Sequence, residues 1–430
     1  MSQMIQQPAA RRPRSRLPQG LSAFRHRNYR LFWFGQLISV TGTWMQTLAQ
    51  SWLVLSLTSS AVALGLVSVF QFAPMLLFGM FAGVLADRVP KRSLLVTTQA
   101  IAMVLATILA VLVATDRVEL WHVYALALGL GINNAFDMPA RQAFVVDMVG
   151  RDDLSNAIAL NSSLFNAARI VGPAIAGLLL ATLGAAFCFG INAASYLAVI
   201  AGLLMMRITP QPSSNRGRGL TQLREGLNYV RRTPEILRPV MLVGLVATFG
   251  MNFNIWIPLL AKQDFDGGAG AFGLLMASSG AGSLIGALAL AFVVRNVQRW
   301  MVFVAATSMG IFNLALALSG AESVAVPVAM GVLALVGLSS TSMMAMANTT
   351  VQTAAPDELR GRIMSVYMTV FAGTAPFGAV IAGLTADRFG APVSVAVGGV
   401  VTLAAVATIA VWGQEPAVVR ERLLHPRRRS

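Results

Sequence analysis

The side chains of this 430-residue chain that could do chemistry are few, because 11% of its residues are charged and 56% are hydrophobic. The most costly of them is Arg169, which lies in the middle of the apolar stretch 157–182. An arginine at the centre of a bilayer costs about 3 kcal/mol or more unless it faces water or a partner. We therefore expect Arg169 to point inward. There it would meet an anionic group of a ligand or an amide such as Gln46, Gln50 or Asn166, or it would serve as a structural anchor for backbone carbonyls.

Asp137 is the acid that best suits an exchange of protons. A carboxylate with that role needs a partly dry site, and Asp137 lies at the end of the apolar stretch 120–138. Arg141 follows one helical turn later, close enough to pair with Asp137 or with Asp147. The sequence predicts that Asp137 and Arg141 handle protons, or, alternatively, that they pair with a neighbouring charged loop.

Amide side chains recur inside the apolar stretches, where carboxylates are scarce. Amides and aromatic rings around a large cavity suit a bulky amphiphilic ligand better than a sugar or an inorganic ion. For each amide taken alone, a hydrogen bond between helices is the alternative role. The expected cavity residues, besides Arg169, are Gln46, Gln50, Asn133, Asn134, Asn166, Asn252, Asn254 and Trp256.

Metal, disulfide and nucleotide chemistry find little support in the sequence. The three histidines lie far apart and Cys188 is the single cysteine, so we expect no clustered metal site and no intramolecular disulfide. The two lysines, Lys91 and Lys262, lie outside any glycine-rich phosphate-binding loop. We therefore expect no metal and no cofactor, and we expect energy to come from a gradient.

Twelve apolar stretches dominate the chain, whose mean hydropathy is +0.69. About 20 helical residues cross a hydrocarbon core of about 30 Å, so each stretch is long enough for one spanning helix. The sequence therefore predicts an all-α membrane protein. The predicted spans are 31–57, 61–86, 94–114, 120–138, 157–182, 185–206, 236–261, 270–294, 301–319, 324–345, 363–386 and 393–412.

The spans form two sets of six, separated by a segment rich in Pro, Ser and Gly. Residues 172–178 of the first set resemble residues 378–384 of the second, which favours a duplication with pseudo-two-fold symmetry. The predicted units are a disordered basic tail over 1–30, a six-helix bundle over 31–206, a linker with an amphipathic helix over 207–235, a second six-helix bundle over 236–412 and a basic tail over 413–430.

The positions of the basic residues predict the orientation of the spans. With both termini in the cytoplasm, 28 of the 32 Lys and Arg residues lie in cytoplasmic segments, and Arg117, Lys262 and Arg388 lie in outer loops. Basic residues are retained on the cytoplasmic side of membranes, so this orientation is favoured. The net charge of +15 then reflects topology and not nucleic-acid binding.

A charged loop joins the second and third spans, with the pattern G-x-L-x-D-R followed after two residues by two basic residues. It resembles the loop between helices 2 and 3 of the major facilitator superfamily, and the resemblance implies a conformational latch between the halves of a transporter. A basic loop that only fixes the topology is the alternative. A similar run at 383–388 ends the eleventh span on the outer side, and we interpret it as a polar helix end. The matching loop residues are Gly83, Leu85, Asp87, Arg88, Lys91 and Arg92.

The fifth span carries Gly172, Pro173 and Gly177, which resemble the G-x-x-x-G-P-x-x-G-G signature of facilitator-type antiporters. Ala168 and Ala176 replace two of its glycines. Small residues let helices approach closely, and a proline kinks its helix. The resemblance implies export rather than uptake, and ordinary packing of small residues is the alternative. The fourth span lacks the R-x-x-Q-G signature that the family often links to proton handling.

Residues 24–34 and 138–144 resemble the enterobactin-exporter-like drug and siderophore group of the superfamily. The resemblance implies two pseudo-symmetric bundles of six helices and no enzymatic activity. It also implies a secondary active transporter that exports a small amphiphilic molecule across a bacterial inner membrane by alternating access, with proton antiport. An importer or lipid flippase on the same fold, and a membrane sensor or scaffold without transport, are the alternatives. We expect a small-molecule substrate, protons and the lipid bilayer as partners, and a monomeric protein.

Overall fold

Helices account for nearly all of the described part of the chain, in which no strand occurs. A computed structural model describes residues 19–412, except 151, 208–218, 266–267, 293, 295–296, 322–325 and 357–358. A helix satisfies its own backbone hydrogen bonds, which lets apolar sequence cross lipid. The predicted tails at 1–18 and 413–430 and the centre of the predicted linker lie outside the described residues.

Fourteen α-helices occur in this part, together with a 3-10 helix before α1 (Gln19–Arg25) and a π-helical turn after α9 (Leu260–Asp264). The helices are α1 (Arg27–Thr58), α2 (Ala61–Arg88), α3 (Lys91–Ala114), α4 (Leu120–Val149), α5 (Leu154–Thr182), α6 (Ala185–Leu204), α7 (Gly219–Arg232), α8 (Pro234–Phe249), α9 (Phe253–Leu259), α10 (Ala269–Phe292), α11 (Arg299–Ala321), α12 (Val326–Ala354), α13 (Arg360–Phe389) and α14 (Ala391–Trp412).

The prediction of an all-α membrane protein is confirmed. Ten spans of the described part are long and apolar enough to cross a membrane, and α8, α9 and the π-helical turn together form one of them. Helices α1 and α4 are as long, with 32 and 30 residues, but their amide side chains lower their hydropathy. Counting both gives the twelve predicted crossings, and α7 lies within the predicted linker.

The spans pack as two halves, α1–α6 and α8–α14. Within the first half, α1 lies against α5 and α6, and α2 lies against α4. Within the second half, α10 packs on α12 and α11 on α14. The main contacts between the halves join α2 to α13 and α5 to α10, and α9 also contacts α1 and α2.

The halves are closed together at one end of the molecule. We call the end that carries the α2–α3, α4–α5 and α10–α11 connections the basic face, and the other end the opposite face. Near the opposite face, a Cβ at Gly177 of α5 would lie 2.6 Å from the Cα of Gly273 of α10. A Cβ at Gly65 of α2 would lie 2.7 Å from the carbonyl oxygen of Ala379 of α13. These interfaces therefore depend on backbone-to-backbone approach that a larger residue would prevent.

Two spans differ from the prediction in ways that matter for the site. Helix α4 does not end at residue 138 but continues through Pro139 to Val149, because a proline inside a packed membrane helix is tolerated when neighbours satisfy the freed backbone group. The seventh span is broken after Phe249 and resumes at Phe253. The amide of Asn313 donates to the carbonyl of Gly250 at 3.1 Å and so satisfies part of the exposed backbone.

The N-terminal segment is ordered from Gln19 onward, so the expected disorder through residue 30 is wrong for residues 19–30. The backbone N–H of Ala23 donates to the side chain of Asn156 at 2.9 Å. The buried Tyr29 hydroxyl donates to the carbonyl of Ala157 at 2.9 Å. The segment thus packs against the beginning of α5 at the basic face.

Candidate transport pathway between the two halves

Arg169 lies at mid-height of the molecule, where α5 crosses α10. It is 15 residues into the 29-residue helix α5, which places it about 22 Å along the helix axis. A Cβ at Gly280 of α10 would lie 3.0 Å from the carbonyl oxygen of Arg169. The guanidinium carbon lies 5.9 Å from the ring centroid of Trp44 in α1, within range of a cation–π interaction. Within the described residues, the Arg169 side chain forms neither a hydrogen bond nor an ion pair.

This arrangement bears on the alternatives for Arg169. Its side chain donates no hydrogen bond to a described carbonyl, so the structure gives no support to a backbone anchor. The amides expected nearby are engaged elsewhere: Asn166 donates to the carbonyl of Ser162 at 2.9 Å, and Gln46 accepts from Asn192 at 2.6 Å. Arg169 thus presents a cation that the described part of the protein leaves unpaired.

The antiporter-like residues of α5 shape this region. A Cβ at Gly172 would lie 2.6 Å from the Cβ of Trp44, so Gly172 allows α1 to approach and places the indole beside Arg169. Gly177 contacts Gly273 of the other half. Pro173 lies inside the helix between them. Two of the three motif residues therefore occupy close helix contacts, one within the first half and one between the halves.

A small polar cavity lies nearer the opposite face, between α1, α2 and α9. Its volume is about 20 Å³, enough for one water molecule. It brings together two expected cavity residues, Gln50 from the first half and Asn254 from the second. The lining residues are Thr47, Gln50, Ser51, Val54, Leu64, Val67, Ser68, Gln71 and Asn254.

Other expected cavity residues lie elsewhere. Trp256 is 1% exposed, and its indole N–H donates to the hydroxyl of Ser394 at 2.9 Å inside the second half, so it is not at the cavity. Gln46 links α1 to α6 and is likewise a contact within one half. The amide of Asn252, at the start of α9, donates to the carbonyl of Thr248 at 2.8 Å. Asn133 is buried in α4, with no partner for its side-chain oxygen among the described residues, and Asn134 is half-buried beside it.

Asp137 is 4% exposed and lies inside the first half. One carboxylate oxygen accepts hydrogen bonds from Thr98 at 2.7 Å and from the Gln99 amide at 2.9 Å, both in α3. The other oxygen accepts from Arg141 Nε at 2.8 Å and from an Arg141 terminal nitrogen at 2.5 Å. The predicted Asp137–Arg141 pair is therefore present. Besides Arg141, the described hydrogen-bond partners of Asp137 lie in α3.

The two latch residues with described hydrogen bonds, Lys91 and Arg92, bind within their own half. Lys91 donates to Asp147 at 2.8 Å, which joins α3 to α4 and leaves Arg141 to pair with Asp137. Arg92 donates to the carbonyl of Leu204 at the end of α6 at 2.7 Å. The remaining latch residues are Arg88, which is exposed, and Gly83 and Asp87, whose side chains lie outside the described residues.

Sequence reasoning missed two charged residues at the opposite face. Asp387, which it interpreted as part of a polar helix end, contacts the beginning of α2. Lys262, which it placed in an outer loop, donates to the carbonyl of Leu55 at the end of α1. The only available signal was the likeness of 383–388 to the latch loop, and that likeness does not indicate a partner.

Two packed halves of six spans each, with a cation and amide groups where they meet, define a multi-pass membrane transporter. The family model described as "Transmembrane secretion effector" matches residues 19–420, and the chain belongs to that family of the major facilitator superfamily. The superfamily predicted from the loop and α5 motifs is thereby confirmed, and the protein is a transporter and not an enzyme.

Curated relatives transport siderophores and drugs, as their names state. The chain is 26% identical to the staphyloferrin A transporter of Staphylococcus aureus (strain NCTC 8325 / PS 47), over 86% of this chain and 93% of the relative. It is 28% identical to the multidrug efflux pump Tap of Mycolicibacterium fortuitum, over 84% of this chain and 89% of the relative. It is 26% identical to the enterobactin exporter EntS of Escherichia coli O1:K1 / APEC, over 80% of this chain and 81% of the relative.

Solved transporters share the fold at low sequence identity. A POT family transporter in complex with 5-aminolevulinic acid superposes with a TM-score of 0.74 at 10% identity, covering 90% of this chain and 96% of that one. A bacterial homologue of the lysosomal transporter Spinster, in an inward-facing conformation, superposes with a TM-score of 0.67 at 14% identity, covering 92% of this chain and 96% of that one. These likenesses concern the fold.

Proposed function

We propose that this protein exports a small amphiphilic molecule across the bacterial inner membrane by alternating access, with both termini in the cytoplasm. The observation that carries the proposal is the asymmetric closure of the halves. Their backbones touch near the opposite face at Gly177 and Gly273, whereas the described hydrogen bonds of the latch residues Lys91 and Arg92 at the basic face lie within their own half. Such a conformation admits substrate from the basic face and must reverse to release it.

The orientation follows from the same two faces. The basic face carries most of the Lys and Arg residues of the loops, which supports its assignment to the cytoplasm. The conformation described above is then open to the cytoplasm. The efflux and export functions named for relatives Tap and EntS support transport outward.

Proton antiport is the proposed energy source, with Asp137 as the carrier. Its carboxylate accepts four hydrogen bonds, two of them from Arg141, so Arg141 is the partner that must move for the pair to separate during the cycle. The side-chain oxygen of Gln99 is buried, with no partner among the described residues. A water donating to that oxygen would lie next to the carboxylate and could deliver the proton.

The test uses inside-out membrane vesicles and a panel of fluorescent amphiphilic dyes and siderophores. An imposed pH gradient should drive dye into wild-type vesicles, and an uncoupler should stop it. Asp137→Asn should abolish the gradient-driven uptake and leave equilibrium dye binding unchanged. Asp116→Asn, which alters an exposed acid between α3 and α4, is the control and should retain coupled uptake.

Three outcomes would contradict the proposal. Uptake that persists after the gradient collapses would exclude proton coupling, and coupled uptake in Asp137→Asn would exclude that residue as carrier. Movement of dye only out of inside-out vesicles would indicate an importer.

A further inference from the structure

We propose that Arg169 and the indole of Trp44 form a subsite for a planar oxyanion, such as a carboxylate, attached to an aromatic part of the transported molecule. This inference rests on the proposed function and names its substrate class. It starts from the guanidinium of the half-buried Arg169, which has no hydrogen-bond or ion-pair partner within the described residues, since a cation partly removed from water without an acceptor favours an anionic partner.

The surroundings of Arg169 specify the shape of that partner. A guanidinium presents parallel N–H groups that match the two oxygens of a carboxylate. Trp44 lies beside it, and Phe165 contacts the Trp44 ring edge-on with centroids 5.6 Å apart. An aromatic ring of the ligand can pack against these rings while its acidic group meets Arg169.

The position of the subsite fits a transport pathway. Arg169 lies midway along α5, beside α1 on one side and Gly280 of the other half on the other. The Arg169 backbone packs on the other half while its side chain lies against α1, so the subsite adjoins the boundary between the halves, where movement of one half against the other changes access from one face to the other. The neutral amides Gln50 and Asn254 lie further toward the opposite face and leave the charge selection to Arg169.

The test measures equilibrium binding to purified protein in nanodiscs, so that it does not depend on transport. The probes are pyrenebutyrate and its neutral methyl ester, which share the same aromatic body. Wild type should bind the carboxylate at least about tenfold more tightly than the ester, as expected for a charge-assisted hydrogen bond. Arg169→Gln should remove that preference and leave ester affinity unchanged, and Arg169→Lys should retain part of it.

A wild-type protein without a preference for the carboxylate would overturn the inference, as would an undiminished preference in Arg169→Gln. If Arg169→Gln does not fold, Trp44→Leu tests the same subsite and should weaken binding of both probes. Charge-selective binding in a protein that moves no dye would contradict the proposed export and leave the subsite intact. Export without charge selection would contradict the subsite alone.

A separate observation, at the opposite face, supports a second inference. We infer that Asp387 and Lys262 form a clasp that holds the opposite face closed by binding the two helix ends of the α1–α2 turn. Asp387 of α13 accepts hydrogen bonds from the backbone N–H groups of Ala61 at 2.5 Å and Val62 at 3.2 Å. It also accepts from the hydroxyl of Ser60 at 2.8 Å.

The electrostatics of the two contacts are complementary. The first N–H groups of α2 have no partner within the helix and carry partial positive charge, so the Asp387 carboxylate stabilises that end. Lys262 donates to the carbonyl of Leu55 at 2.6 Å, at the negative end of α1. Both charges belong to the second half and both helix ends to the first, so the contacts must break when the opposite face opens.

The test compares Asp387→Asn and Lys262→Gln with Arg388→Gln, which alters an exposed neighbouring charge. Spin labels at Leu183→Cys in the first half and Phe389→Cys in the second, in a Cys188→Ala background, report the distance across the opposite face by pulsed EPR. Each clasp variant should raise the ratio of open to closed conformers at least about fivefold, as expected for losing charge-assisted hydrogen bonds. The Arg388→Gln control should show the same ratio of open to closed conformers as the protein with an unmodified clasp. Unchanged distance distributions in both clasp variants would overturn the inference.

Discussion

A polar side chain inside a spanning helix can bind a ligand or another helix, and Gln46 illustrates the second role. Its side-chain oxygen accepts from Asn192, and both residues are buried. Gln46→Leu should therefore lower the free energy of unfolding by about 1 kcal/mol, because it leaves the Asn192 amide without its acceptor. Thermal unfolding in detergent measures the loss, and Thr107→Val, an exposed hydroxyl on α3, is the control. A changed dye selectivity with unchanged stability would instead indicate that Gln46 lines the substrate cavity.

Asp153 links the N-terminal segment to the beginning of α5 in a pH-dependent way. Hydrogen bonds from Ser22 and then from His26 lower the pKa of Asp153. Since the folded-state pKa lies below the unfolded value of about 3.9, this stabilisation is present above about pH 4 and is lost as the pH falls through the folded-state pKa.

We therefore predict that Asp153→Asn speeds hydrogen exchange at the Ser22 and Ala23 amides at pH 7. Wild type should show comparable exposure only in strong acid, after correction for the intrinsic exchange rate. Equal protection of wild type and variant at pH 7 would show that Asp153 does not hold the segment.

The free-energy cost of a charge in apolar sequence explains which site residues could be predicted. Arg169 and Asp137 are charges within or beside apolar sequence, and such charges require a special environment wherever they lie. Asp387 and Lys262 were missed because a charge at a helix end is ordinary, and its partner 200 or more residues away in the chain is set by how the halves pack. Trp256 was misplaced for the same reason, since its neighbour Ser394 comes from a distant span.

The contact between α5 and α10 predicts how closure can be blocked. Gly177→Val should prevent the two backbones from meeting, and so hold the opposite face open and reduce transport at least about tenfold. Gly190→Val is the matched control, because a Cβ at Gly190 meets nothing within 4 Å. Dye uptake and the EPR distance at the opposite face check the result. Normal transport by Gly177→Val would show that this contact can be lost without harm.

Helix existence was predictable from hydropathy, but several helix ends were not, those of α4 and of the seventh span among them. Pro139 marks a helix end in water-soluble proteins, yet α4 continues past it for ten residues, to Val149. The break after Phe249 has no proline at the break itself, and it depends on packing, since a Cβ at Gly250 would lie 2.6 Å from the Thr402 hydroxyl. Such tertiary contacts do not appear in the periodicity of one span.

The molecule as a whole has an orientation that one labelling experiment can check. Arg388 lies at the exposed end of α13, at the opposite face. A cysteine at position 388 should react with a membrane-impermeant maleimide in intact cells, because the proposed orientation places the basic face in the cytoplasm. Cys188 is buried, so the native thiol should stay unlabelled. Labelling only after permeabilisation would invert the assignment of the faces.

The contacts that close the protein and the groups proposed to bind its cargo use different atoms. Gly177 meets the backbone of Gly273, and Asp387 and Lys262 bind backbone groups of the α1–α2 turn. The proposed ligand selection, in contrast, rests on side chains such as Arg169. Point substitutions in the cavity wall can therefore change which molecule is carried without disturbing the contacts that open and close the protein. A lineage of such proteins can diversify its cargo one residue at a time while keeping a single gating mechanism.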